Sequence, residues 1–196
     1  MEISVQGCRL EFIPVPMRFG RCGMANVFAG LNNKTLAETL LDKRYAKLSE
    51  EIRCHYPNSL NDRLGEFLYR LKIANDGFYR RFLNKHGDNV FCDFSIERTS
   101  LSETKGIYCF AVGDEAKYVG QTRDSFARRI NQGYGHIWPK NCYLDGQSTN
   151  CHVNSLVAKY LDVVSLLVRP VEDDSEIGRL EDLLIDSPQL DWNIHH

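Results

Sequence analysis

The chain lacks any apolar run long enough to cross a bilayer, and its first residues, MEISVQGCRLEF, alternate and carry charge where an export signal would start basic and turn apolar. Membrane insertion and secretion are therefore not expected, and a cytoplasmic location is. Paired cysteines are missing too: the seven, at 8, 22, 54, 92, 109, 142 and 151, form no Cys-x-x-Cys motif. That argues against a disulfide framework and for reduced thiols. Cys142, Cys151 and His152 lie close in sequence but match no common zinc spacing. There is no low-complexity tract and no internal repeat, which excludes a linker-like or solenoid protein. A dominant charge is also absent, and a net charge of -2 argues neither for nor against nucleic acid.

What is present suffices for a core without disulfide or metal: 196 residues, 43% of them hydrophobic. The charge is unevenly placed. Residues 117–140 hold Lys117, Arg123, Arg128, Arg129 and Lys140 against Asp124, while residues 172–191 hold eight acids against Arg179. Such a basic segment suits either a phosphate backbone or a solvated helix face.

In the first half, VQGCRLEFI alternates as one or two strands before Pro14 and Pro16. Residues 35–54 read as an amphipathic helix: Thr35 and Glu38 form a capping box, and Leu36, Leu40, Leu41, Tyr45, Leu48 and Ile52 recur at helical spacing. Beyond Pro57, Ser59 and Asp62 open a second helix that Asn75-Asp76-Gly77 ends, and a third short helix runs to His86, closed by Gly87. These helices carry Arg63, Arg70, Lys72, Arg80, Arg81 and Lys85, a set that fits a nucleic-acid backbone or a plain surface equally well. The polar stretch 88–102 suggests a boundary. It yields a mainly helical region, 1–100, for DNA recognition or dimerisation, and a second domain, 101–196.

The second domain opens on GIYCFAVGDEAKYVG, residues 106–120, which reads as a hairpin turning at Gly113-Asp114-Glu115. Asp124 or Ser125 then caps a helix containing Phe126, Arg128, Arg129 and Ile130, ended by Gly133-Tyr134-Gly135. A helix from about Cys151 to Leu161, a buried strand from Val163 to Val168 and a last helix from about Asp174 to Asp186, before Pro188, complete the series. The order strand, strand, helix, helix, strand, helix indicates an α/β fold around a small sheet.

Gly106-Ile107-Tyr108, Tyr118-Val119-Gly120, Arg128 ten positions after the second tyrosine, and a glutamate in LEDLLIDSPQLDWN together resemble the GIY-YIG nuclease family, over roughly residues 103–194. The resemblance implies a small three-stranded antiparallel sheet flanked by helices. It also implies a metal-dependent endonuclease that hydrolyses phosphodiester bonds in DNA with one divalent ion, Mg²⁺ or Mn²⁺ in its place, and no small-molecule cofactor. Matched by position, Tyr108 is the general base, Tyr118 the second motif tyrosine, Arg128 the phosphate-binding arginine, Glu181 the metal ligand and Asn193 the closing asparagine. Lys117 stands where some restriction enzymes of the family have a lysine, and across the hairpin it would favour the Tyr108 phenolate. Neighbouring strand residues point to opposite faces, so Tyr118 is the lesser of the two tyrosines if Lys117 reaches the site. Four residues after the helix arginine many members carry a tyrosine or histidine; here Gln132 stands there, with Tyr134 and His136 beyond, and the choice stays open.

The candidate catalytic residues are thus Tyr108, Lys117, Tyr118, Arg128, His136 and Glu181, with Arg123, Arg129, Tyr134, Lys140 and Asn193 as substrate contacts. The expected role is a restriction or defence nuclease on double-stranded DNA, where cutting both strands calls for a homodimer or two successive visits. The alternatives are a structure-specific repair nuclease and a module of the same fold that binds nucleic acid without cutting.

Overall fold

Among the described residues, alternating residues and turn formers produce eight strands: β1 (Glu2–Val5), β2 (Cys8–Glu11), β3 (Ile13–Val15), β4 (Met17–Phe19), β5 (Phe94–Ile96), β6 (Gly106–Val112), β7 (Glu115–Thr122) and β8 (Val164–Pro170). Seven α-helices accompany them among the same residues: α1 (Leu36–Leu40), α2 (Ser49–His55), α3 (Leu64–Ile73), α4 (Phe126–Arg128), α5 (Pro139–Cys142), α6 (Ser148–Lys159) and α7 (Asp174–Ile185). The computed structural model describes residues 2–5, 8–31, 34–185 and 190–193. Gln6 and Gly7 of the first strand segment, the expected helix end at Asp186 and the following Pro188 lie outside the described residues. None of the described helices is long and apolar enough to cross a membrane.

The capping box forms as expected: Thr35 Oγ1 accepts from the Glu38 N–H at 3.2 Å, and Glu38 Oε2 from the Thr35 N–H at 2.7 Å. The single helix expected over 35–54 is instead two, α1 and α2, joined through a 3₁₀ turn at Ala46–Leu48. Asp42 Oδ1 takes the Arg44 N–H at 2.9 Å, and a side chain that competes for backbone donors interrupts a helix. Helix α3 is amphipathic, burying Leu64, Phe67, Leu68 and Leu71 at helical spacing. Ser59 and Asp62 do not cap it; both accept from Arg70 Nη2, at 3.1 and 2.5 Å.

The chain divides into two compact units, and the division does not fall at residue 100. One comprises Met1–Cys22, Cys92–His136 and Leu156–His196; the other comprises Gly23–Phe91 and Ile137–Ser155. The cause is strand pairing, since β3 pairs with β8 and β4 with β5, which draws residues 13–19 to the later strands. The region 1–100 is therefore not one helical domain. Its helices belong to the second unit, whose core includes Phe28, Leu36, Ile52, Phe67 and Phe82.

The first unit is mixed α/β. Its main sheet is antiparallel with order β3-β8-β6-β7, four strands where three were expected, β3 being the addition. Ile107, Cys109, Val119 and Leu167 bury one face against Ile177, Leu180 and Leu184 of α7. By the alternation of the pleat, Tyr108, Phe110 and Tyr118 occupy the other. Gly106 opens β6 at φ 142°, and a Cβ there would lie 2.2 Å from the Arg169 carbonyl oxygen. That close approach is what the first glycine of the hairpin permits.

Candidate functional site

Tyr108 on β6 stands opposite Gly120 on the edge strand β7. A Cβ at Gly120 would lie 2.5 Å from the Tyr108 Oη and 2.7 Å from its Cζ. The missing side chain is thus what lets the ring lie across β7. Tyr118 pairs with Phe110 two residues earlier on β7, and its ring stacks near that of Tyr108, with centroids 6.4 Å apart.

The third phenol comes from the helix after the hairpin. Ser125 caps α4, its Oγ accepting from the Arg128 N–H at 3.2 Å, and this phase buries Phe126, Ala127 and Ile130. The helix then widens into a π turn, Arg129–Tyr134, closed by the Gly135 N–H donating to the Ile130 carbonyl at 2.7 Å. Residues five apart share one side of a π turn. Arg129 and Tyr134 accordingly meet, with the guanidinium carbon 4.3 Å from the Tyr134 ring centroid.

The hydroxyls form one network. The Tyr134 Oη lies 2.9 Å from that of Tyr108 and 3.0 Å from that of Tyr118. Arg129 donates from Nε to the Tyr108 Oη at 3.1 Å and from Nη2 to the Tyr134 Oη at 2.6 Å. Burial pushes the Tyr118 and Tyr134 phenols well above their ordinary range, so both stay protonated. Burial lowers the Arg129 guanidinium, but the facing Tyr108 and Tyr134 outweigh it and hold it above its ordinary range.

The metal candidate stands on α7, where Leu180 is buried and the half-buried Glu181 follows on the rim. Its Oε2 accepts from Gln121 Nε2 at 2.6 Å. Burial raises the Glu181 carboxyl above its usual range, opposed first by Gln121 and then, through space, by Arg129. Glu181 also acts electrostatically on Tyr118. Since α7 packs on the sheet face opposite Tyr108 and Tyr118, the carboxylate and the phenols interact only through space. Among the described residues, no group of three or more histidine, cysteine or acidic side chains is arranged to hold a metal.

Several expectations are corrected by these positions. Arg128 is exposed and pairs with Asp124 at 2.7 Å; Arg129, expected only as a substrate contact, is the arginine that meets the tyrosines. Of Gln132, Tyr134 and His136, the residue that joins the network is Tyr134. His136 Nδ1 instead meets Asp93 Oδ1 at 2.7 Å, while Arg21 binds the other Asp93 oxygen at 2.8 Å. Lys117 turns away, to Glu115 at 2.9 Å and Asp191 at 3.6 Å. The cause is a register shift: Phe110 pairs with Tyr118 and Ala111 with Ala116, so Lys117 is the extra residue of a bulge.

Asn193 does not present itself to a substrate. Its amide accepts from the Val119 N–H at 2.9 Å and donates to the Val119 carbonyl at 2.8 Å, closing the open edge of β7. Arg123 is exposed on the wall of an open cleft with Lys105, Ser125 and Glu172. Lys140 is exposed on α5, in the second unit. Gln121 went unnoticed in the sequence, where its only signal is a polar residue directly after Gly120 in an otherwise buried strand segment.

Comparisons with protein-family models, with curated proteins and with solved structures found no match.

Proposed function

We propose that this chain is a metal-dependent endonuclease of the GIY-YIG type that hydrolyses phosphodiester bonds in double-stranded DNA as a restriction or defence enzyme. The supporting observation is the convergence of three phenol oxygens and one guanidinium beside Gly120, with the Glu181 carboxylate bonded to the next residue of β7, Gln121. In this reading β6, β7 and β8 are the three strands of the nuclease module, and β3 is an added edge strand.

Hydrogen-bond accounting separates the roles. Tyr134 accepts from Arg129 and keeps its own proton. If Tyr118 donates to Tyr134 and Tyr134 to Tyr108, the Tyr108 oxygen receives donors from both Tyr134 and Arg129. Two converging donors stabilise an oxygen that carries negative charge. In this reading Tyr108 is the base that takes a proton from the attacking water, and Arg129 takes the part expected of Lys117. A guanidinium has five N–H donors, and the tyrosine bonds use two of its nitrogens, leaving Nη1 to bind the scissile phosphate.

Glu181 suits a hard, hydrated cation: it is a half-buried carboxyl bonded to a neutral amide, and among the described residues it makes no ion pair. Mg²⁺ held there, or Mn²⁺ in its place, would supply positive charge to the phosphoryl and leaving oxygens. One observation favours a second reading, a binding module that does not cut: Tyr108 is only 1% exposed and Tyr134 0%. Cleavage of supercoiled and linear DNA in Mg²⁺ or EDTA decides between them. Metal-dependent cutting that Glu181→Ala and Arg129→Ala abolish is expected. Intact DNA, bound equally with and without Mg²⁺, would establish the binding module.

A further inference from the structure

Gln121 is the polar residue of the site whose role the nuclease reading leaves unassigned. It pairs across the hairpin with Ile107, one position beyond the Tyr108–Gly120 pair. Its side chain crosses sixty residues of sequence to reach α7, donating from Nε2 to Glu181 Oε2 at 2.6 Å. Apolar packing of Ile177, Leu180 and Leu184 sets the rotation of α7, but a glutamate side chain still has several rotamers open to it. The Gln121 side-chain donor restricts that choice.

The other half of the amide makes the point sharper. Gln121 Oε1 is buried and has no hydrogen-bond partner among the described residues. Turned over, the amide would give up its donor contact with Glu181 Oε2. The observed orientation leaves its own acceptor unsatisfied and serves Glu181, and an unsatisfied buried group calls for an explanation.

We infer that Gln121 is the positioning residue of the metal site: it holds Glu181 by Oε2 and leaves Oε1 to face a divalent cation. The inference rests on the nuclease reading of Glu181. Hydrogen-bond partners of metal-binding carboxylates typically matter by about 10–100-fold in affinity.

The test is Mn²⁺ binding to the full chain without DNA, followed by water-proton relaxation, for wild type, Gln121→Met, Gln121→Ala and Glu181→Ala. Thermal unfolding in EDTA accompanies each variant. Methionine keeps the length of glutamine and can fill its space without donating. A folded Gln121→Met is expected to bind Mn²⁺ about 10–100-fold more weakly. In cleavage it should need correspondingly more Mg²⁺ for half-maximal rate, while kcat at saturating Mg²⁺ stays near that of wild type. Wild-type Mn²⁺ affinity in Gln121→Met overturns the inference, including the case where Gln121→Ala alone is weakened, because that pattern reports bulk. Unchanged affinity in Glu181→Ala overturns the underlying metal assignment instead, a result distinguishable from failure at Gln121.

Discussion

Replacing Gly120 by alanine tests the geometry of the site with a single carbon. The new Cβ would lie 2.5 Å from the Tyr108 Oη, 2.7 Å from Cζ and 3.0 Å from Cε2. These atoms cannot swing aside like the end of a lysine. The ring is 1% exposed, and its oxygen is bonded to Tyr134 at 2.9 Å and Arg129 at 3.1 Å. Overpacking at such a site costs about 1–3 kcal/mol. For a domain of this size that is a melting temperature lower by about 2–12 °C, at about 2–4 °C per kcal/mol. The backbone adds no cost, because Gly120 is not in the left-handed region. The Oη is the nearest contact, so Tyr108→Phe should recover part of the loss, and the coupling between the two positions should be about 0.5–3 kcal/mol in a double-mutant cycle read by urea unfolding. An unchanged melting temperature for Gly120→Ala, or strictly additive effects, would show that Tyr108 does not lie across Gly120. Both outcomes are independent of whether the protein cuts DNA.

Arg128→Ala should leave stability within about 1 kcal/mol, since it removes an exposed ion pair, and should keep cleavage, whereas Arg129→Ala should abolish it. Tyr134→Phe strips the acceptor from Arg129 Nη2 and should cost about 1–3 kcal/mol in denaturant unfolding, with cleavage reduced. Asn193→Ala leaves both backbone groups of Val119 unpaired by the side chain and should cost about 1–3 kcal/mol. The second unit has its own pH dependence: burial, then His152 and Lys85, lower His86 to about 4. A depressed folded value means that its stabilising effect is complete above the unfolded value of about 6.5 and is lost as pH falls through the folded one. His86→Gln should flatten that part of a stability-against-pH profile, and an unchanged slope would refute the assignment.

Local order along the chain was legible because it depends on near neighbours. The capping box at Thr35, the hairpin turn at Gly113, the Ser125 cap and the apolar strand near Val164 all follow from adjacent residues and appear where they are expected. Tyr108 and Tyr118 also fall on neighbouring strands, but two residues out of register: Tyr108 pairs with Gly120 and Tyr118 with Phe110. Tertiary structure decided which side chains meet. One bulge turns Lys117 out of the site, and one π turn brings Tyr134 over Arg129 in place of a residue four positions on. Counting positions assumes a constant number of residues per turn and per rung, so single-residue irregularities escape it. Pairings such as β3 with β8, Gln121 with Glu181 and Asn193 with Val119 join segments 60 to 155 residues apart. Their energies are gained only after the chain has closed loops of that length, and nothing in the local residue pattern records which loops close.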